Sequence, residues 1–305
     1  MSSAAPPLFV GVDAGGSKTA LRIEGGEAVV ERTGPGVNVR RDGVDAATER
    51  LGALLADALG AFPEVRLGGL AAGLAGAGDP AVAHRIEATL RGRLSLSEDV
   101  PVTVVHDAEI ALEAAFGEET GIVVIAGTGS IVYGRTAAGA TLRAGGWGSR
   151  LGDAGSGTAL GRATLRAACT HHDGGPPTRL TARLAEDHAL DTLDALLGWA
   201  YDGGDLAALA PLLLATAPGD AVAGGLLDAE TDALAQQAAW LARRAGGRLE
   251  KRVALLGGLV REGGYRQALL QALAHRLPGW YAAPSEREPV EGAVALARRR
   301  ARAAP

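Results

Sequence analysis

The sequence predicts an α/β protein built from two halves that share one plan. Apolar runs with strand character alternate with segments of helical periodicity along most of the chain. In each half an apolar strand leads into a glycine-rich polar turn and a return strand, at residues 8–23 and 122–133. This repetition predicts a duplicated architecture with one glycine-tipped hairpin in each half.

The first hairpin has its tip at residues 11–19, Gly-Val-Asp-Ala-Gly-Gly-Ser-Lys-Thr. Gly15 and Gly16 allow a tight turn that brings amide N–H groups close to an anion. Asp13, at the end of the strand, is a candidate ligand for a divalent cation. The further polar donors of the tip are Ser17, Lys18 and Thr19. The tip is either a phosphate–metal corner or an ordinary glycine turn; it is not a Walker loop, because the GxxxxGK[ST] spacing is absent.

The rest of the first half alternates strands and helices. Strands are predicted at residues 28–30, 67–74 and 102–105, and helices at 42–59, 80–94 and 108–116. Asn38, the only asparagine of the chain, follows the third strand in a Gly-Pro-Gly context that is typical of a turn.

Asp107 follows the strand at residues 102–105 directly. Ligands of open α/β sheets bind at the carboxyl ends of the strands, so a carboxylate there is a candidate catalytic base. The alternative is that Asp107 only caps the next helix, which aspartate does well. His106 is adjacent and ranks lower as a site residue.

The second half repeats the hairpin and then becomes mostly helical. A strand at residues 122–126 leads into the turn Gly127-Thr128-Gly129-Ser130 and the return strand 131–133. Residues 145–157 are the densest glycine segment, and a helix is predicted from 156 or 157 to 168. Residues 180–249 are predicted to be helical with breaks at 203–204 and 218–219, followed by a strand at 253–256, a helix at 264–275, a strand at 280–282 and a last helix at 290–302.

Two further features of this half are candidate ligand sites. Trp147 and Asp153, embedded in flexible backbone, are suited to wall and hydrogen-bond a polar ligand such as a sugar. Gly257 and Gly258, at the end of a strand, would let a flat nucleotide base lie against the backbone.

Composition narrows the class of protein. The chain has 305 residues, 47% of them hydrophobic and 21% charged, which is ordinary for a globular protein large enough for two domains. A net charge of −5 argues against nucleic acid and anionic membranes as the main partner. The single cysteine, Cys169, predicts a reducing cytoplasm, and the first residues lack the basic region of a signal peptide.

Three other features of the sequence are predicted to be structural. His171, His172 and Asp173 resemble a metal site but have no supporting cluster, so a surface loop is favoured. Cys169 is predicted to be a small helix residue rather than a nucleophile. The basic run of Arg298, Arg299, Arg300 and Arg302 is predicted to be the solvated end of the last helix.

Taken in order, these motifs resemble the actin-like, ribonuclease-H-fold sugar kinases (ASKHA), specifically the N-acetylglucosamine kinase group of the BadF/BadG/BcrA/BcrD ATPase family. Residues 11–19 match the first phosphate motif, 127–130 the second and 256–259 the adenosine motif; 73–78 match the connecting segment and 289–293 the opening of the last helix. The resemblance implies two actin-like domains flanking a cleft for ATP and sugar. Their expected bounds are 1–117 with the helix at 289–305, and 118–288 with a helical insertion.

The resemblance also implies a role for each residue of these motifs. Asp107 would be the general base, and Asp13 would position Mg²⁺. ATP would be bound by the cofactor-binding residues Asp13, Gly15, Gly16, Ser17, Lys18, Thr19, Gly127, Thr128, Gly129, Ser130, Gly257 and Gly258. The amino sugar would be bound by Asn38, Asp107, Gly146, Trp147, Gly148 and Asp153.

One departure bears on the substrate. The group commonly has glutamate where this chain has Ala154, so the exact sugar is less constrained than the reaction. The expected reaction is 6-phosphorylation of N-acetylglucosamine by ATP, with glucosamine or N-acetylmuramic acid as alternative acceptors. A BadF-type activator ATPase would need two cysteines from each subunit, and a non-catalytic sugar sensor would need neither Asp13 nor Asp107. The resemblance leaves a homodimer open.

Overall fold

The computed structural model describes residues 6–26, 28–62 and 65–303, which form two compact units. One unit combines the residues up to Glu119 with those from Ser285 onwards, and the other spans Thr120–Pro284. The second unit is therefore inserted into the chain of the first.

The strands and α-helices of the described chain have the following bounds. The strands are β1 (Leu8–Ala14), β2 (Lys18–Gly25), β3 (Ala28–Pro35), β4 (Leu67–Leu74), β5 (Val102–His106), β6 (Gly121–Ala126), β7 (Ser130–Arg135), β8 (Thr141–Gly145), β9 (Arg252–Leu256) and β10 (Tyr281–Ala283). The α-helices are α1 (Val39–Asp42), α2 (Val44–Gly60), α3 (Pro80–Arg93), α4 (Asp107–Phe116), α5 (Gly157–His172), α6 (Arg179–His188), α7 (Leu193–Tyr201), α8 (Ala210–Thr216), α9 (Ala221–Ala245), α10 (Gly263–Arg276) and α11 (Pro289–Ala303). Short 3₁₀ helices lie at Leu206–Leu209, Ala217–Gly219 and Leu259–Arg261.

The sheet of the first unit has the strand order β3-β2-β1-β4-β5. β2 runs antiparallel to β1 and β3, whereas β4 is parallel to both β1 and β5. The carboxyl ends of β1, β3, β4 and β5 consequently meet at one edge of the sheet. Asp13 near the end of β1, Asn38 before α1 and Asp107 at the start of α4 lie at this edge.

Helices cover both faces of the first sheet. Leu51 and Leu55 of α2, with Ile86 and Leu90 of α3, are fully buried against one face. On the other face Ile110 of α4 packs with the small residues of α11, Ala293 and Ala297, around Ala71 of β4. Burial on both faces explains why β4 reads as a continuous apolar run rather than an alternating one.

The sheet of the second unit has the order β10-β9-β6-β7-β8, which is the same plan as that of the first unit. β6 pairs antiparallel with β7 and parallel with β9, so the turn after β6 and the end of β9 lie at the same edge. Buried leucine and alanine side chains of α5, α9 and α10 form the core beside it. The predicted α/β class and its repeated strand–turn–strand plan are confirmed.

Several elements differ from the prediction. The helix expected at 42–59 is α2, but the short helix α1 before it was not predicted; Asn38 caps α1, and Gly43, with φ +80°, separates it from α2. β8 at Thr141–Gly145 was not predicted; it is an edge strand whose first residue is exposed and whose next two are half-buried, so its apolar pattern is weak. The break at Ala189, in the left-handed conformation, was also missed.

Two local predictions are corrected. His171 and His172 lie in the last turn of α5 rather than in a loop, and the His171 ring contacts the Thr181 hydroxyl at 2.9 Å. Arg298 and Arg299 are not simply solvated, because they pair with Glu24 at 2.8 Å and Glu113 at 3.0 Å. Cys169 is a half-buried residue of α5, as predicted.

Within the described ranges, no individual helix combines the length and apolar character required to cross a membrane. Only the pair formed by Leu206–Gly219 and Ala221–Ala245, bent by 118°, meets that test jointly, by length and composition alone.

Candidate functional site

The edge of the first sheet brings together two carboxylates that are 94 positions apart in the sequence. Asp13 is the penultimate residue of β1 and lies opposite Gly73 of β4, and Leu74 of β4 lies opposite His106 of β5. Asp107 is the next residue and the first of α4. Parallel pairing of three strands therefore places Asp13 and Asp107 at the same edge.

Electrostatics couple these two carboxylates. Burial is the main cause that raises the pKa of Asp13 to about 7, and the negative charge of Asp107 is the next. The charge of Lys18 opposes the increase in pKa, and Glu288, at the start of α11, adds to it. A divalent cation at Asp13 would remove this cost, since carboxylate oxygens are the ligands that hard cations prefer.

The first hairpin tip presents backbone donors and exposed side chains. The turn closes by a hydrogen bond from the Gly15 N–H to the Lys18 carbonyl at 3.0 Å. Gly16, Ser17 and Lys18 are exposed, so a ligand can reach them. Thr19 is different, because it is 1% exposed and its hydroxyl donates to the Pro35 carbonyl at 2.7 Å. In this structure Thr19 holds β2 to β3.

Asp107 both begins α4 and presents a carboxylate at the sheet edge. Its Oδ1 accepts from the Ala108 N–H at 2.8 Å and lies 2.6 Å from Nδ1 of His106. The N-cap of α4 is His106, whose Nδ1 also accepts from the Ala108 N–H at 3.1 Å; Asp107 is the first helical residue, so its carboxylate adds to the cap rather than forming it. The imidazole of His106, a residue that ranked below Asp107 as a predicted site residue, contacts one oxygen of this carboxylate.

Asn38 caps α1 at the same edge. Its Oδ1 accepts from the N–H groups of Arg40 and Arg41 at 3.0 and 3.2 Å, and its main chain forms a parallel bridge with Ala75 after β4. The cap uses the carbonyl oxygen of the side chain, so the amide Nδ2 is the group with which Asn38 would contact a ligand.

In the second unit, the turn after β6 is held by the first residues of α5. The Gly157 N–H donates to the Gly127 carbonyl at 2.8 Å, and the Thr158 hydroxyl donates to the Thr128 carbonyl at 2.8 Å. The positive end of a 16-residue helix therefore adjoins this glycine turn, an arrangement that favours anions. Gly157 and Thr158 were not among the predicted site residues, although the strand–glycine–helix order was a usable signal.

Asp153 joins this turn to the glycine segment. Its Oδ1 accepts from the Gly148 N–H at 3.0 Å, and a Cβ placed on Gly129 would lie 2.8 Å from its Oδ2. A side chain at position 129 would therefore displace this carboxylate. Burial raises the pKa of Asp153, while the Gly148 N–H and the charge of Arg162 oppose the increase. Asp153 has φ +64°, a strained conformation for a residue with a side chain.

Trp147 and the neighbouring glycines shape the surface beside Asp153. The indole is 61% exposed, and the Arg143 guanidinium lies 4.1 Å from its ring centre. Gly146 and Gly148 both have positive φ angles. The backbone around Trp147 therefore follows a path that other residues adopt with difficulty.

Gly257 and Gly258 lie beside the turn after β6, as the parallel pairing of β6 with β9 requires. Gly257 has φ +101°, and a Cβ there would clash with the Ala126 carbonyl. Gly258 has no atom within 4 Å of a Cβ position, so one side of this backbone is open.

A metal site made of protein ligands alone is absent from the described residues. No group of three or more His, Cys, Asp and Glu side chains is arranged to bind an ion there. The carboxylate of Asp13 is a ligand type that suits Mg²⁺, an ion that proteins commonly bind through one or two carboxylates together with phosphate oxygens and water.

The sequence was compared with known families and proteins. The model of the BadF/BadG/BcrA/BcrD ATPase family matches residues 10–297. An N-acetylmuramic acid/N-acetylglucosamine kinase of Clostridium acetobutylicum is 32% identical over 200 residues, which are 64% of this chain and 64% of that protein. An N-acetyl-D-glucosamine kinase of Dictyostelium discoideum is 30% identical over 208 residues, 64% of this chain and 65% of that protein. The matched part thus spans just under two thirds of each curated relative.

The fold was compared with solved structures. A Chromobacterium violaceum structure, provisionally assigned as an N-acetylglucosamine kinase, superimposes with a TM-score of 0.75 at 25% identity and covers 95% of this chain and 99% of that one. The predicted ribonuclease-H-like, actin-like fold and the predicted family are both confirmed.

Proposed function

The chain belongs to the BadF/BadG/BcrA/BcrD ATPase family, and from this premise we propose that it is an ATP-dependent amino-sugar kinase. The leading reaction is phosphorylation of N-acetylglucosamine at the 6-hydroxyl. The observation that carries the proposal is the pair Asp13 and Asp107, held at one sheet edge with interacting charges. The names of the two curated relatives support an amino sugar as the acceptor.

Asp107 is proposed as the general base. Its carboxylate would accept the proton of the sugar hydroxyl as that oxygen forms a bond to the γ-phosphorus of ATP. The bond from the γ-phosphorus to the β,γ-bridging oxygen breaks, and ADP leaves. His106, 2.6 Å from Oδ1, would fix the orientation of the carboxylate for this transfer.

The two glycine turns are proposed to bind the phosphates of ATP. The N–H groups of residues 16–17 and 128–129, with the exposed Ser17, Lys18 and Thr128, would donate to phosphate oxygens, while the Gly15 and Gly127 N–H groups close the two turns. The N-terminus of α5 would add its dipole to the second turn. Gly257 and Gly258 would support adenosine on the open side of their backbone.

Asp13 is proposed to hold Mg²⁺, directly or through water. The ion would neutralise charge that develops on the phosphate oxygens. Binding would also favour the ionised form of Asp13, whose pKa is raised to about 7 mainly by burial.

Asn38, Trp147, Gly148 and Asp153 are proposed to bind the sugar, with Gly146 shaping the loop. Carboxylate and amide groups bind sugar hydroxyls by paired hydrogen bonds, and an exposed indole packs against the apolar face of a sugar ring. Ala154 has no polar side chain, so the substituent at the sugar's second carbon is less constrained at this position. Glucosamine, which has an amine in place of the acetamido group at the second carbon, is therefore one alternative acceptor. N-acetylmuramic acid keeps the acetamido group and differs at the third carbon, and it is the second candidate acceptor because of the name of the Clostridium relative.

The first test is ADP release in a coupled assay with ATP and Mg²⁺. N-acetylglucosamine, glucosamine, N-acetylmannosamine, N-acetylmuramic acid and glucose are supplied in turn. We expect the highest kcat/KM with N-acetylglucosamine and measurable turnover with N-acetylmuramic acid. A rate of ADP release that no sugar increases would contradict the kinase function.

The second test is Asp107→Asn. Loss of the base should lower kcat by about 10²- to 10⁴-fold, the usual contribution of general base catalysis. Sugar binding, measured by calorimetry, should remain within a few fold of wild type because the amide keeps the shape of the carboxyl group. Asp45→Asn, an exposed carboxylate on α2, is the matched control and should keep full activity. Wild-type kcat in Asp107→Asn would remove this residue from the proposed role.

A further inference from the structure

The segment that carries Asp153 is held by side chains from helices far away in the sequence. The Gly155 N–H donates to Oε2 of Glu230 in α9 at 2.8 Å. The Gly155 carbonyl accepts from the hydroxyl of Tyr265 in α10 at 2.6 Å. Both main-chain polar groups of Gly155 are thus bound by one side chain each, 75 and 110 positions away.

The same peptide is bound on its other side by the second hairpin. The Ser130 hydroxyl donates to the Ala154 carbonyl at 2.7 Å, and Ser130 is 4% exposed. The Ala154 carbonyl and the Gly155 N–H belong to one peptide group, so Ser130 and Glu230 fix that group from opposite directions. Ala154 has no polar side chain of its own. The carboxylate that binds the peptide group between Ala154 and Gly155 is that of Glu230 in α9.

Tyr265 makes this contact from within the hydrophobic core of the second unit. It is among the largest fully buried side chains, with 0% exposure. Burial, and then the charge of Glu230, raises the pKa of its phenol, so the hydroxyl keeps its proton and acts as a donor. A buried hydroxyl without a partner would be costly, and Gly155 supplies the acceptor.

These contacts act on Asp153 through a short covalent path. Asp153 is two residues from Gly155, in a left-handed conformation that costs free energy for a residue with a side chain. Its carboxylate is aimed at the Gly148 N–H and at Gly129. A fixed Gly155 peptide keeps the strained Asp153 backbone, and hence its carboxylate, in this direction.

We propose that Glu230 and Tyr265 are positioning residues of the sugar site, which hold the Gly155 peptide and thereby fix the position of Asp153 and of the Gly148 main chain that it binds. The inference deepens the proposed function and rests on it. Neither residue belongs to the phosphate turns, and although Ser130 binds the same peptide group, the second turn is also held by hydrogen bonds from Gly157 and Thr158, so we expect the main effect on the sugar rather than on ATP. Sugar contacts that are equal in the ground and transition states change KM and leave kcat unchanged.

The test compares four variants in steady-state kinetics with N-acetylglucosamine and ATP varied separately. Tyr265→Phe and Glu230→Ala should each raise the sugar KM about tenfold, since each leaves a main-chain group of Gly155 without its partner. The ATP KM and kcat should stay within twofold of wild type. Glu230→Gln keeps an acceptor oxygen and should recover most of the affinity. Asp232→Asn removes the ion pair between Asp232 of α9 and Arg276 of α10, at 2.5 Å, and should leave the sugar KM unchanged.

The outcomes separate this inference from the proposed function. A sugar KM in Tyr265→Phe and Glu230→Ala that equals the wild-type value would overturn the positioning role. So would equal increases in the sugar KM and the ATP KM that Asp232→Asn also shows. A wild-type protein without sugar-dependent turnover would instead contradict the kinase function. Calorimetric titration with N-acetylglucosamine then decides the inference alone. Weaker binding to the two variants than to wild type supports it. Equal binding to variants and wild type, or no binding to wild type, overturns it.

Discussion

At the scale of single residues, the Asp42 carboxylate and Arg41 connect the Asn38 segment to the first hairpin by hydrogen bonds. Its Oδ2 accepts from the Asn38 N–H at 3.0 Å, and its Oδ1 accepts from the Arg41 guanidinium at 2.8 Å. Arg41 in turn donates to the Gly16 carbonyl at 2.9 Å. The loop proposed to bind sugar and the turn proposed to bind phosphate therefore share one charged cluster.

This cluster predicts a pH-dependent contribution of Asp42 to stability. The hydrogen bond from Arg41, and then that from the Asn38 N–H, lowers the pKa of Asp42 to about 2 from 3.8. A lowered pKa stabilises the folded state above the unfolded pKa, and this stabilisation is lost as the pH falls from about 4 towards 2. We expect Asp42→Asn to lower the free energy of unfolding by about 1–2 kcal/mol at pH 7, because the partner guanidinium is partly exposed.

Urea denaturation of both proteins between pH 7 and pH 3 measures this difference. It should be constant from pH 7 to pH 5 and shrink below about pH 4. Asp45→Asn is the matched control, since Asp45 is 87% exposed in its pair with Arg85, and it should change stability by less than about 0.5 kcal/mol. Equal stability of Asp42→Asn and wild type at pH 7 would contradict the prediction.

At the scale of elements, the sequence predicted what depends on local pattern. The strands β1, β5, β6 and β9 were found because each is a short buried apolar run, and both hairpin turns because their glycines interrupt such runs. Asp13 and Asp107 could be singled out since each follows one of these runs. Their shared sheet edge required only the parallel pairing that α/β proteins usually adopt.

What the sequence could not predict depends on contacts between distant elements. Glu230 lies in a 25-residue helix and Tyr265 in a 14-residue one, and nothing in their own periodicity indicates that both meet Gly155. The edge strand β8 has too few buried residues for a clear alternation. The break between α1 and α2 depends on the positive φ of Gly43, a residue that helical spacing alone does not distinguish from its neighbours.

At the scale of the whole chain, the last helix completes the first unit. α11 packs against β1, β4 and α4, although almost the entire second unit separates it from them in the sequence. Arg299 of α11 binds Glu113 of α4 at 3.0 Å and Glu118 at 3.4 Å. The Glu113 side chain is only 4% exposed, so its charge depends on such partners.

We therefore expect Arg299→Met to destabilise the protein through Glu113. Removing one partner of a buried charge costs about 3–5 kcal/mol, and because the Arg299 side chain is 31% exposed we expect about 2–3 kcal/mol, measured by urea denaturation. Arg300→Met, at the exposed neighbouring position, should change stability by less than about 0.5 kcal/mol. The double variant Arg299→Met with Glu113→Gln should recover part of the loss, since no buried charge remains. If the double variant is no more stable than Arg299→Met alone, the cost lies in the packing of α11 and not in the charge of Glu113.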